Sequence, residues 1–169
     1  MQIVIVGCGN VGGNIARQLS KEGHNLTIVD INERNVRELS DEIDVMGIVG
    51  SGSRLSVLKQ AGIGSADLLI AATDSDERNL LCCLIAKKAG TGNTIARVRD
   101  PQYFDEIELI KDDLGLSLYV NPELYAAEEI ARLLRFPTAM EIDSFANGRV
   151  DLMKFDVTEA SALCGMALK

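Results

Sequence analysis

The sequence predicts an α/β fold: a doubly wound parallel sheet of strand order 3-2-1-4-5-6, followed by the start of a small α+β subdomain. Three observations carry that expectation. Strand-like apolar runs alternate with helix-like segments across the first 135 residues. The first run breaks into Gly7-Cys8-Gly9-Asn10-Val11-Gly12, a glycine-spaced turn that opens a helix. The second run closes on Asp30, at the distance from that turn that a strand–helix–strand unit requires.

The elements follow in order. Residues 2–6 are rich in Val and Ile and read as a buried strand; residues 10–21 form a helix with Val11, Ile15 and Leu19 on one face, ended by Gly23. A second strand covers 26–30, and Asn32 caps a helix to about residue 41. A third strand covers 45–49, and Ser53 caps a short helix that reaches Ala61 and is closed by Gly62. The fourth strand is 67–71. Asp74-Ser-Asp-Glu77 has the form of a capping box ahead of the apolar helix 80–89, which Gly90 ends. The fifth strand is 94–98, a short helix starts at Pro101, and the sixth strand is 116–120. Asn121-Pro122, an N-cap followed by proline at the first helical position, opens a helix to Arg135. Such alternation forces right-handed crossovers and a parallel sheet covered on both faces, with a crevice outside the carboxyl ends of strands 1 and 4.

Pro137 breaks the pattern. Apolar and polar residues then alternate from Ala139 to Val157 around Asn147-Gly148, a hairpin signal. A lone hairpin is marginal in water, so the expected division is a nucleotide-binding domain over 1–136 and the truncated start of a second subdomain over 137–169.

Composition narrows the function classes. A net charge of −8 argues against binding nucleic acid or anionic lipid through bulk electrostatics. No apolar run approaches a membrane span and no leader precedes the first strand, so the chain is expected in the cytoplasm without direct membrane insertion. The four cysteines lack metal-ligand spacing and read as small buried residues of a reducing compartment. His24 has no ligand-spaced partner and reads as structural; no metal is expected.

The chemistry gathers at the glycine turn. Gly7 permits the turn, Gly9 lets the backbone approach a pyrophosphate, and Gly12 lets the helix pack against the strand. The N–H groups from about Asn10 and Val11 face bound phosphate, which the helix dipole favours. Asp30 offers two acceptor oxygens to a ribose diol and repels a 2′-phosphate, which selects NAD over NADP; a merely solvated strand end is the alternative. Thr73 and Asp74 follow strand 4 across the crevice and are expected to supply hydroxyl and backbone contacts; for Asp74 the alternative is that it only caps the next helix, and the two jobs are compatible. Arg97 and Arg99 lie two apart on strand 5. Arg97 is the expected phosphate contact, whereas for Arg99 an ion pair is an equal reading.

These segments resemble the regulatory subunits of Trk-type potassium uptake systems, built from RCK (also called KTN) domains. The matching runs are Ile3-Val-Ile-Val-Gly-Cys-Gly-Asn-Val-Gly12, Leu26-Thr-Ile-Val-Asp30, Gly47-Ile-Val-Gly-Ser-Gly-Ser53, Ala71-Ala-Thr-Asp-Ser-Asp-Glu-Arg-Asn79, Ile95-Ala-Arg-Val-Arg-Asp-Pro101 and Asn121-Pro-Glu123. The resemblance implies a Rossmann-like domain that senses NAD⁺ or NADH, or ATP or ADP at the same site, and assembles as a dimer or higher homo-oligomer beneath a membrane potassium-transporter subunit. It places Cys8, Ser51 and Gly52 beside the other nucleotide contacts. Many members carry Asp after the residue matching Gly50; this chain has Ser51 there. The helix 122–135, with Leu124, Ala127, Ala131 and Leu134 in a stripe, resembles the family's crossover helix; covering the sheet in a monomer is the alternative.

Catalysis is not expected. The three tyrosines are followed four residues on by Ile107, Glu123 and Glu129 rather than by the lysine of a short-chain reductase, and no histidine stands near the crevice. The rival reading is the cofactor domain of an NAD-dependent oxidoreductase.

Overall fold

Ile3, Val4, Ile5 and Val6 leave the first strand no polar face, so it needs cover on both sides and takes the middle of the sheet. In the computed structural model, which describes residues 1–135, 139–145, 149–157, 159, 161 and 164–166, all four are at most 2% exposed. The strand β1 (Gln2–Val6) lies between β2 (Asn25–Asp30) and β4 (Leu68–Ala71). With β3 (Met46–Val49), β5 (Asn93–Arg97) and β6 (Leu118–Val120), they form a six-stranded sheet of order 3-2-1-4-5-6. Every pairing in it is parallel, with Val6 opposite both Val29 and Ala71. This is the Rossmann-like arrangement expected.

Alternating side chains of the strands feed two cores. On one face Ile3, Ile5, Leu26 and Ile28 meet Ala16 of α1 (Asn10–Lys21) and Val36 and Leu39 of α2 (Glu33–Glu42). On the other, Val4, Val6, Val29 and Leu69 meet Leu58 of α3 (Leu55–Gln60), Cys82, Cys83 and Ala86 of α4 (Asp76–Ala89), and Ile107 of α5 (Tyr103–Leu114). Three cysteines are therefore buried, as small apolar residues are.

Some local details differ from the sequence expectation. Asn32 does cap α2, accepting from the Arg34 N–H at 3.0 Å. Ser53 does not cap α3: Arg54 holds that position, and the Ser53 hydroxyl pairs with that of Ser51 at 2.8 Å. The cap of α4 is Ser75 rather than Asp74. Its hydroxyl accepts from the Arg78 N–H at 3.2 Å, so the helix starts four residues before the apolar run. The helix after Pro101 is twelve residues long, ended by Gly115 in the left-handed region; its exposed acidic face hid its length.

The chain divides into two units, Met1–Pro122 and Glu123–Lys169. The second holds most of α6 (Pro122–Arg135) and an antiparallel pair, β7 (Ala139–Phe145) and β8 (Val150–Phe155), with Ile142 opposite Met153 and Phe145 opposite Val150. The turn expected at Asn147-Gly148 and the break at Pro137 fall outside the described residues. No residue of α6 is buried, and Leu124 and Leu134 are exposed. Among the described residues no helix is long and apolar enough to cross a membrane.

Candidate nucleotide site

At the carboxyl ends of β1 and β4, where the strand order reverses, the sheet opens into a cleft of about 420 Å³. Its near wall is backbone. Gly7 turns the chain with φ at 94°, and its N–H donates to the Val29 carbonyl at 2.8 Å. A Cβ on Gly7 would sit 2.8 Å from the Ala72–Thr73 peptide, and one on Gly12 only 1.8 Å from the Gly7 carbonyl oxygen. A Cβ on Gly9 would meet nothing within 4 Å. Gly9 is the N-cap of α1, no side chain caps that end, and its first turn carries no acid. No side chain takes up the first N–H groups of α1 and the space beside Gly9 is open, the kind of helix end that suits an anion.

Asp30 ties this wall to β2. Its Oδ2 accepts the Cys8 N–H at 2.6 Å and its Oδ1 the Asn32 N–H at 2.8 Å, while the Asn35 amide lies 3.5 Å from Oδ2. A carboxylate has about four acceptor positions, so the oxygens retain capacity for ribose hydroxyls. Gly52 brings the loop after β3 onto the end of β1, since a Cβ there would lie 2.3 Å from Val6 Cγ1.

The far wall is held by side chains. Asn79, fully buried on α4, accepts at Oδ1 from the Thr73 N–H at 2.8 Å and the Thr73 hydroxyl at 2.7 Å. Its Nδ2 donates to the carbonyls of Thr73 at 3.3 Å and Arg97 at 2.9 Å. One amide therefore joins the loop after β4 to the end of β5. Arg97 reaches back across the same gap, Nη1 to the Thr73 carbonyl at 3.4 Å. Asp76, 6% exposed, accepts the N–H groups of Arg99 and Asp100 at 2.8 and 2.9 Å and fixes the loop after β5.

Of the residues read from the sequence, Gly7, Gly9, Asn10, Val11, Asp30, Gly52, Thr73, Asp74 and Arg97 all line this cleft. Cys8, Gly12 and Ser51 do not. Cys8 contributes its N–H to Asp30, and burial, with the Asp30 charge second, pushes its thiol up to about 12. Gly12 acts through its contact with Gly7. Arg99 lies outside the cleft, its guanidinium on the Asp74 carbonyl and 3.6 Å from the Asp76 carboxylate; the ion-pair reading holds for it. Sequence reasoning gave no role to Asn79, Asp76 or Arg78. Asp76 and Asn79 precede the apolar run 80–89, so the sequence carries no signal of their burial; the structure shows both buried and partnered, as buried polar groups must be. Among the described residues no group of His, Cys, Asp or Glu could hold a metal.

The TrkA-N domain matches residues 3–122. The chain is 38% identical over 168 residues to a Trk system potassium uptake protein TrkA homolog of Archaeoglobus fulgidus, covering 99% of this chain and 38% of that protein. Against the Vibrio alginolyticus Trk system potassium uptake protein TrkA the figures are 36%, 99% and 37%. The chain therefore spans about two fifths of the length of these curated relatives. Among solved structures, the TrkA-N domain of the Escherichia coli inner membrane protein ybaL superposes with a TM-score of 0.69 at 22% identity, over 79% of this chain and 96% of that one. The GsuK channel bound to NAD gives 0.60 at 24%, over 70% and 21%.

Proposed function

The chain belongs to the TrkA-N domain family, and from that premise we propose that it is the nucleotide-sensing part of a regulatory subunit of potassium uptake. NAD⁺ or NADH, with ATP or ADP as alternatives at the same site, occupies the cleft between β1 and β4. The ribose diol sits on Asp30 and the phosphates over Gly9, on the N–H groups of Asn10 and Val11. Adenosine lies beside Ser51 and Gly52, and the far end of the ligand reaches Thr73, Asp74 and Arg97. One observation carries the reading: an uncapped helix N-terminus, a carboxylate with spare acceptor positions and a guanidinium share one cleft. The GsuK channel, of the same fold, is bound to NAD.

The partner is a membrane potassium-transporter subunit, reached from the cytoplasmic side, and the chain assembles with a second copy through α6. Residues 1–136 make up the nucleotide domain and 137–169 belong to a second subdomain. The role is regulatory rather than catalytic. A ligand gates only if it discriminates between two arrangements, and a 100-fold preference supplies about 2.7 kcal/mol.

Calorimetric titration of the chain with NAD⁺, NADH, ADP and ATP tests the reading. Asp30→Ala is expected to weaken NADH by about 1–3 kcal/mol, the cost of a lost charge-assisted bond and an unpaired partner. Unchanged affinity in that variant, or tighter binding of NADPH than NADH by the parent, overturns the assignment. Turnover of NADH with a carbonyl substrate overturns the regulatory role.

A further inference from the structure

Among the described residues four charged side chains line the cleft, and the proposed ligand contacts use three of them: Asp30, Asp74 and Arg97. The fourth is Arg78. It stands in the first turn of α4, three residues beyond the Ser75 cap. A cation there opposes the helix dipole, which favours negative charge at that end. Its side chain is about one-third exposed and Nη1 donates to Asp74 Oδ1 at 3.1 Å. That pairing holds Arg78 weakly, because the Asp74 side chain is 88% exposed and exposed pairs four apart on a helix contribute little. An anion that entered the cleft would meet the guanidinium in a less solvated setting and outcompete the carboxylate.

We propose that Arg78 is a phosphate-binding residue of this cleft, held by Asp74 in the free chain and transferred to ligand phosphate on binding. The proposal rests on the nucleotide reading above and extends it to ligand choice. Arg78 and Arg97 place two guanidinium groups on the α4 and β5 side, opposite the glycine turn, where a terminal phosphate concentrates charge. A dinucleotide has no terminal phosphate and presents an uncharged ribose and a nicotinamide to the same wall. Arg78 therefore favours ADP and ATP over NADH. Asp74, counted above among the ligand contacts, acts here as the competing anion.

The experiment is titration of the chain and two variants with ATP, ADP and NADH at several salt concentrations. Arg78→Gln is expected to weaken ATP roughly tenfold, NADH much less, and to flatten the salt dependence of ATP binding. Asp74→Asn is expected to tighten ATP severalfold, because the competing carboxylate is gone; damage to the fold does not produce a gain. Unchanged ATP affinity in Arg78→Gln, equal losses for ATP and NADH, or weaker ATP binding in Asp74→Asn overturns the proposal. A parent chain that binds none of the three overturns the nucleotide reading as well, whereas a parent that binds with an indifferent Arg78→Gln overturns only the role of Arg78.

Discussion

The two walls of the cleft are built from different materials. The near wall, from β1 through α1 to β2, is shaped by backbone: a left-handed turn at Gly7, the contact of Gly12 with its carbonyl, and N–H groups aimed at Asp30 or at open space. The far wall, from β4 through α4 to β5, is shaped by buried polar side chains, with Asn79 joining Thr73 to Arg97 and Asp76 fixing the loop beyond. The difference separates two kinds of fragility. A backbone wall fails when atoms are added, and a side-chain wall fails when hydrogen-bonding atoms are removed.

Adding one methyl tests the first half of that statement. Gly12→Ala drives a Cβ to 1.8 Å from the Gly7 oxygen, where only backbone movement relieves the clash. The expected cost is about 4 kcal/mol or more, seen in denaturant melts. Gly9→Ala meets nothing, so it is expected to melt like the parent and still lose nucleotide affinity in titrations. If the two variants behave alike, the near wall is not the steric device described.

Removing atoms tests the second half. Asn79→Leu keeps the bulk but strips four hydrogen bonds from Thr73 and Arg97. A loss of roughly 2–3 kcal/mol is expected, from buried donors and acceptors left unpaired. The nucleotide titration is expected to weaken with it, whereas Asn79→Leu at parental stability would show that the amide does not hold the wall.

The near wall was legible in the sequence because its demands fall on residue types that chains use for few other reasons. Gly7, Gly9, Gly12 and Asp30 were read at their spacing, and strand order followed from alternation. The far wall was only half legible. Spacing puts Thr73, Asp74 and Arg97 at the crevice, but it points to Asp74 as the cap where Ser75 holds that position. Asn79 closes the Ala71–Asn79 motif, which by itself assigns it no partner. A buried amide leaves no periodic trace: its partners are backbone carbonyls and N–H groups on other strands, which every sequence supplies equally. Arg99 shows the same limit, since only its contacts with Asp74 and Asp76 distinguish an ion pair from a ligand contact.

The smallest expected effect probes burial on both walls at once. Cys8 and Cys82 have thiols pushed up to about 12, chiefly by burial. In the unfolded chain these thiols ionise near pH 9, while the folded chain keeps them protonated. Their contribution is complete below pH 9 and declines as pH rises towards the folded values. Melting temperature is expected to fall above pH 9, each thiol accounting for less than about 1 kcal/mol at pH 9.5. Cys82→Ala is expected to flatten that decline. The same slope in parent and variant would show that ionisation elsewhere governs it.

The open space at Gly9 bears on what inheritance can reveal. In a lineage that stopped binding nucleotide, selection for folding alone would still hold glycine at positions 7 and 12, where any side chain strikes backbone. Position 9 would be released, because nothing in the fold asks for glycine there. Of the three, Gly9 is the residue whose retention records a ligand rather than a shape.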